Sequence, residues 1–503
     1  MAKYKQTEAG NGQGLFLSIN LKEQLLPGTF EYMLDDLIGN KIDVSAFDKN
    51  YKNDDTGAKA VPPPALIKLV IYGYSRGAKS SRRIEELAKN NIIAKALTKD
   101  IEPHWTTIAG FISGNSEIFA EIFVKVLAYC SELGLVGGQT FAIDGLRLPS
   151  NASMGLTGTA EELEKKLGVY RKMAERHVAK HRRHDERGET DKKTEKNYQR
   201  QQKHYNRQIE KISVFLETME HREGKRGQEI KSNVTDNDSA MIMSSSGYIQ
   251  GYIGLSVSDR KNQVIISAQA VGSANECEHL PAMLDQTLGN MREAKIKKPK
   301  ETKQAMLADK NYFSEENLKA CEEKNIEAII PDSQYKRRLG ENGKMRFEAD
   351  DFKYHEEGDY YECPHGKRLA YCGTNILGGS EGKVYQARAV DCRICPCFPQ
   401  CIRGKKEQSL IDKGRKIRIT RSNENGSLCG ALRKKLNSQD YQDRYSYRIQ
   451  IIEPVFGNIG YCKGLNRFSL RGNDKVNGQW QLYCMVHNLG KCLKGYNTEK
   501  GYA

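Results

Sequence analysis

Between residues 137 and 332 the chain alternates in a way that leaves few folds open. Short runs rich in β-branched and aromatic residues ("TFAIDGLRL", "GYIQGYIGLSVSD", "QVIISAQAV", "QAMLADKNY", "IEAIIPD") are interleaved with stretches of helical spacing. Such runs favour strands. The second and third are joined by the polar turn "SDRKN" and predict an antiparallel pair. "ECEHLPAMLDQTLGNM" and "SEENLKACEEKN" read as helices, the latter with Ser314 as its N-cap. The order is strand, helical insert, strand, strand, helix, strand, helix, strand. It predicts a mixed α/β sheet with helices packed against it.

Two carboxylates stand where strands of this sheet are expected to end, Asp144 just ahead of Gly145 and Asp309 after "QAMLA". A third, Glu453, is the lone acid in "RYSYRIQIIEPVFGNIGYCKG". Its apolar neighbours predict the buried side of a helix. Pro454 fits a first helical turn, so Glu453 is expected near the helix start. A lone Asp at a strand end is usually a turn residue. Three carboxylates on one sheet suit hard, oxygen-seeking ions such as magnesium. Two such ions about 4 Å apart serve phosphodiester displacement.

The charge balance agrees with a polyanionic partner. The chain of 503 residues carries a formal charge of +15, which favours nucleic acid. Residues 1–135 read mostly as short helices and are expected to form a helical N-terminal DNA-binding domain. "VPPPALIKLVIYGYSRG" opens one helix at its prolines, and "KSSRRIEELAKNN" offers Ser80 or Ser81 as an N-cap with Arg82 and Arg83 exposed. Residues 136–335 form the first part of the catalytic domain. Within them, about 155–230 read as a long basic helical hairpin, either a plain solvated face or an arm that contacts phosphates. No apolar run is long enough to span a membrane and no signal core opens the chain, so a cytoplasmic protein is expected.

Residues 336–440 are expected to form a cysteine-bearing insert, and 441–503 return to the catalytic domain. Of thirteen cysteines, four crowd into "DCRICPCFPQC" (Cys392, Cys395, Cys397, Cys401), with Cys363 in "YECPHGK" and Cys372 in "AYCGT" upstream. Reduced thiols at C-x2-C spacing suit structural zinc. Cys363, Cys392, Cys395 and Cys401 are the preferred four ligands, with Cys397, Cys372 and His365 competing. A zinc knuckle would explain how a Gly- and Tyr-rich stretch with little apolar core stays folded.

Three blocks, "FAIDGLRLPSNAS", "MLADKNYFSEENL" and "RIQIIEPVFGNIGYCKGLNRFSLRGNDKVNGQWQLYCMVHNLGK", resemble the catalytic blocks of bacterial insertion-sequence DDE transposases. The match is to the insertion-sequence eleven-eighty-two branch of the insertion-sequence four/five group. The N-terminal helices and the cysteine insert resemble that branch in the same order. The resemblance implies an RNase H-like catalytic fold with Asp144, Asp309 and Glu453 as catalytic residues. These would hold two magnesium or manganese ions. It implies double-stranded DNA as partner, both terminal inverted repeats and target, and a dimer or higher oligomer on DNA. A nucleoid location when active follows from that.

Tyr445 and Arg448 resemble the Tyr and Arg that precede the Glu in this family. Gly460 stands where a Lys is expected, and Lys463 is its candidate replacement. Tyr445, Arg448, Lys463, Arg467, Arg471 and Lys475, with Arg82 and Arg83, are candidate DNA contacts. Trp480 and His487 are expected to pack the final helix. Two other readings share the sequence: a domesticated or decayed transposase that only binds DNA, and a nuclease of the same fold without strand transfer.

Overall fold

The computed structural model describes residues 18–51, 59–188, 191–219, 222–224, 227–244, 247–297, 303–333, 335, 347, 349–377, 380–397, 401, 413–420, 427–436 and 438–502. Contacts divide the chain into two units. One holds the described residues up to Phe111 together with those from Leu493 on, and the other holds Ile112–Cys492.

The first unit is helical. α1 (Phe30–Asp36), α2 (Pro63–Ser75), α3 (Ser81–Asn90), α4 (Ile92–Thr98) and α5 (Trp105–Gly114) are its main elements. α2 starts at its prolines and is buried from Ala65 to Tyr74. The hydroxyl of Ser80 caps α3 by accepting from Arg83 N. Ile84 and Ala88 face the core while Arg82 and Arg83 stay exposed. The Arg82 guanidinium lies over the Trp105 ring at 4.8 Å.

The second unit begins with α6 (Ser116–Glu132) and is built on a six-stranded mixed sheet. β1 is Thr140–Pro149; α7 (Ala160–Glu186) and α8 (Lys192–Thr218) form the helical hairpin; β2 (Ala240–Ser244), β3 (Gly247–Asp259) and β4 (Ile265–Val271) follow. Then come α9 (Leu280–Glu293), β5 (Gln304–Leu307), α10 (Glu315–Glu323) and β6 (Ile326–Ile329). The main path runs β2-β3-β1-β5-β6, with β4 also paired to β3. β3 pairs antiparallel with β1, β2 and β4, whereas β5 is parallel to both β1 and β6. This mixed arrangement is consistent with an RNase H-like fold. β2 was not expected: "AMIMS" is short and only its Ile242 is buried, so it lacks the alternation that marks a strand.

Asp144 does not end its strand. β1 continues to Pro149 because β3 is long enough to pair it throughout, Asp144 opposite Ser256 and Gly145 opposite Leu255. Gly145 marks a tight contact instead of a turn. A Cβ there would overlap Ile253 and come within 2.7 Å of Glu276 Oε2.

The insert is also more ordered than its composition suggests. Lys353–His355, Tyr360–Glu362, Arg368–Leu377, Ser380–Ala387 and Lys416–Ile419 make a five-stranded antiparallel sheet. Phe352, Tyr361, Leu369, Tyr385, Ala387, Ile417 and Ile419 form its buried core, against which Cys363 and Cys392 pack. Aromatic bodies supply the apolar area that aliphatic counting misses.

α11 (Leu428–Lys435), α12 (Gln439–Gly457) and α13 (Asn473–Lys500) close the chain. Trp480 of α13 is fully buried; its ring lies where a Cβ on Gly254 would be, and its Nε1 donates to Leu255 O at 2.8 Å. His487 is 3 % exposed, and its Nε2 donates to Gln263 O at 2.9 Å. Burial pushes its imidazole down to about 4, against about 6.5 in an unfolded chain. Between those values the unfolded chain binds more protons, so stability falls as pH drops through that window. Urea unfolding of wild type at pH 7 and pH 4.5 should show an acid loss larger than that of His487→Gln by up to about 3 kcal/mol. Equal acid losses in the two proteins would contradict this.

Candidate active site

The sheet register sets the first two carboxylates side by side. β1 and β5 pair in parallel as Thr140 with Ala305, Phe141 with Met306 and Ala142 with Leu307. Asp144 and Asp309 each lie two residues beyond the last pair. Side chains alternate with period two, so both acids continue the Ala142/Leu307 row, where β5 has stopped and β1 goes on. Asp144 Oδ1 accepts from Gly145 N at 2.8 Å. Asp309 Oδ1 accepts from Asn311 N at 2.7 Å and Oδ2 from Asn311 Nδ2 at 3.2 Å. Asp309 therefore caps its turn as well as facing the site.

α12 brings a cation to this pair. Tyr441, Tyr445, Arg448, Ile452 and Val455 recur at three- and four-residue steps and form the face turned to the protein; Tyr441, Ile452 and Val455 are buried. Arg448 Nη2 meets Asp144 Oδ2 at 2.5 Å, with side chains 12 % and 23 % exposed. Burial raises the Asp144 carboxyl above its usual range, Arg448 opposes that, and Asp309 adds to it. The Tyr445 phenol is raised by burial, opposed by Arg448 and pushed further by both aspartates. Its ring stands edge-on to Tyr335 at 5.6 Å.

Glu453 is placed differently from the sequence reading. Pro454 lies inside α12 near its C-terminal end, so Glu453 is near the helix end and not its start. A proline within a helix frees the carbonyl four residues back, here that of Gln450. Gln263 Nε2 donates to it at 3.0 Å from the β3–β4 turn, and Lys491 Nζ holds Gln263 Oε1 at 2.7 Å. That outside partner lets the helix continue through the proline. Glu453 is exposed. Five residues at 100° each put it about 140° around the helix from Arg448. The structure thus gathers Asp144, Asp309, Tyr445 and Arg448, and leaves Glu453 on a neighbouring, solvent-facing side of α12.

A buried carboxylate that the sequence did not single out packs against β1 at the residue next to Asp144. Glu276, in the loop between β4 and α9, is 5 % exposed. Its Oε1 accepts from Arg147 Nη2 at 3.0 Å, and its Oε2 is buried without a hydrogen-bond partner. Burial raises its carboxyl, Arg147 opposes this, and Asp144 and Asp309 raise it further. Tyr312, fully buried after Asp309, feels Glu276, Asp144 and Asp309 in the same way, and its hydroxyl also has no partner. Nothing in "SANECEHL" separates Glu276 from a surface acid such as Glu278.

The remaining candidates spread over the C-terminal block. Arg467 Nε donates to Ser150 O at 2.9 Å and Arg471 Nε to Asn151 O at 2.7 Å, both just past β1. Arg467, Arg471 and Lys475 are exposed and Lys463 is half-buried. A Cβ at Gly460 would meet only Leu465 O, at 4.0 Å, so the missing lysine is not forced by packing.

In the insert, Cys363, Cys392, Cys395 and Cys401 line one cavity of about 20 Å³, with Asp391, Lys367 and Arg415. That is room for about one water-sized particle. Lys367 N points to Cys363 Sγ and Arg415 N to Cys392 Sγ, each at 3.3 Å. Burial pushes the Cys401 thiol up to about 11. Cys372 is exposed, and neither it nor Cys397 nor His365 lines the cavity. Phe398 and Pro399 lie outside the described residues.

Among the described residues, no three His, Cys, Asp or Glu side chains stand at metal-holding spacing as placed. The donor sets still fit by chemistry. Four thiols around a one-particle cavity suit zinc, and paired carboxylates with orphaned oxygens nearby suit a hard divalent cation.

Comparison with known families agrees with this picture at both ends of the chain. Residues 362–493 match the transposase DDE domain family, and residues 19–114 match a transposase domain, DUF772. The first match takes in the cysteine insert and Glu453 and lies beyond Asp144 and Asp309. Together the two matches support an insertion-sequence DDE transposase. DDE domains of this kind generally work with divalent metal ions. Among curated proteins the comparison finds no match. No helix among the described residues is long and apolar enough to cross a membrane.

Proposed function

We propose that this chain binds the terminal inverted repeats of an insertion sequence, of the eleven-eighty-two branch, and carries out metal-dependent strand cleavage and strand transfer. The observation that carries the reading is the register-matched pair Asp144 and Asp309, with Arg448 against it. Asp144, Asp309 and Glu453 would hold two magnesium or manganese ions. Bound there, the ions supply activation of an attacking oxygen and charge neutralisation at the leaving one. The protein's own part is positional. Gly145 N and Asn311 fix the two aspartates. Arg448, Lys463, Arg467, Arg471 and Lys475 offset phosphate charge, and Tyr445 orders the approach to the pair. Glu453, exposed on α12, would supply the third carboxylate to those ions.

The helical N-terminal domain, with Arg82 and Arg83 outward, docks DNA. Cys363, Cys392, Cys395 and Cys401 hold structural zinc. The protein acts in the cytoplasm on nucleoid DNA, as a dimer or higher oligomer. The three intact acids weigh against a chain that only binds DNA. The test is a labelled duplex of the element's terminal repeat, incubated with protein, magnesium and target plasmid. Nicks at the repeat end and covalently joined products are expected. Nicks without joined products would identify a nuclease, and binding without nicks would leave only a DNA-binding protein.

A further inference from the structure

We infer that Glu276 is a positioning residue of the catalytic pocket, a buried fourth carboxylate that strengthens divalent-cation binding at Asp144 and Asp309. The inference rests on the reading of those aspartates as ion ligands. It concerns a residue outside the three acids of that reading.

The observations converge from three directions. First, a charged side chain with only 5 % exposure keeps one oxygen, Oε2, without any hydrogen-bond partner. An orphaned buried carboxylate oxygen is costly and calls for a compensating charge or proton donor. Arg147 satisfies only Oε1 and is itself shared with Met243 O at 3.0 Å. Second, the orphaned oxygen packs against β1 at the residue next to Asp144. It lies 2.7 Å from where a Cβ on Gly145 would be, on the face of β1 that Gly145 and Arg147 share and opposite the one that carries the Asp144 side chain, and glycine leaves that space open. Third, the loop is held there. Buried Asn317 donates through Nδ2 to Cys277 O at 3.0 Å and to Tyr312 O at 2.9 Å. It staples the Glu276 loop to the turn that follows Asp309. The Tyr312 hydroxyl, in that turn, is likewise buried and unpartnered.

Without a cation, Glu276 and the two aspartates repel one another across this stretch of β1. A divalent ion at Asp144 and Asp309 relieves that repulsion, and Glu276 adds to the attraction although it is not itself a ligand. Groups behind the ligands typically change metal affinity by about 10–100-fold when removed.

Mn2+ binding to the full chain, followed by electron paramagnetic resonance of the free ion, reads this directly. Glu276→Gln keeps the shape and an acceptor for Arg147 but removes the charge. It should weaken Mn2+ about tenfold and leave the melting temperature without metal unchanged. Wild-type Mn2+ affinity in folded Glu276→Gln overturns the inference. If Glu276→Gln does not fold, Glu276→Asp carries the test. Withdrawing the charge by one methylene should weaken Mn2+ about threefold, and unchanged affinity again overturns the proposal. Asp144→Asn separates the two levels. If it binds Mn2+ as wild type does, the reading of the aspartates fails and this inference with it. If it loses Mn2+ while Glu276→Gln does not, only the inference fails.

Discussion

Asp144→Asn and Asp309→Asn should each reduce nicking of a labelled terminal repeat in magnesium by about a thousandfold or more, while binding to the same duplex stays within about threefold of wild type. A thousandfold corresponds to about 4 kcal/mol of lost transition-state stabilisation. That is the scale of one well-placed charge in a water-poor site. DNA binding is expected to persist because the aspartates would hold ions, not phosphates, and because Asp144→Asn frees Arg448. The same substitution breaks a partly buried ion pair, so melting temperatures must accompany the rates. Asp309 is the cleaner test: an asparagine there still accepts from Asn311 and keeps the turn. Glu453→Gln, on an exposed side chain, should fold as wild type and also lose nicking. Wild-type rates in all three variants would sink the assignment.

The second large effect is expected in the insert. Protein purified under reducing conditions should contain one zinc per chain by elemental analysis. Cys392→Ser, Cys395→Ser and Cys401→Ser should lose it, whereas Cys372→Ser and Cys397→Ser should keep it. Free zinc-finger peptides gain about 10–16 kcal/mol from their ion. The gain here should be smaller, since the aromatic core around Tyr361 and Tyr385 already holds the sheet. Zinc loss should appear as protease cleavage between residues 363 and 415 with the rest of the chain intact. A metal-free wild type with a protected insert would rule the site out.

Much of the catalytic frame was legible because its signals are local. Strand runs, turn residues and caps such as Ser80 and Ser314 depend on neighbours in sequence, and they locate the strands beside which Asp144 and Asp309 sit. What was not legible depends on distant partners. Whether β1 stops at Asp144 is decided by the length of β3, more than a hundred residues on. Pro454 reads as a helix start unless Gln263 is known to take the carbonyl it frees. Glu276 reads as a surface acid until the fold buries it against Gly145. The insert looked coreless because its core residues, Tyr361 and Tyr385 with Leu369, Ile417 and Ile419, are spread thinly over separate strands.

The parallel register also acts as an interlock. Asp144 and Asp309 are 165 positions apart, and only the pairing of Ala142 with Leu307 brings them level. A slip of one residue would turn one acid to the opposite face of the sheet. A chain still emerging from synthesis, or one mispaired, therefore carries scattered acids and no cutting site. If the pair cuts DNA as proposed, that hazard is confined to molecules that have finished folding.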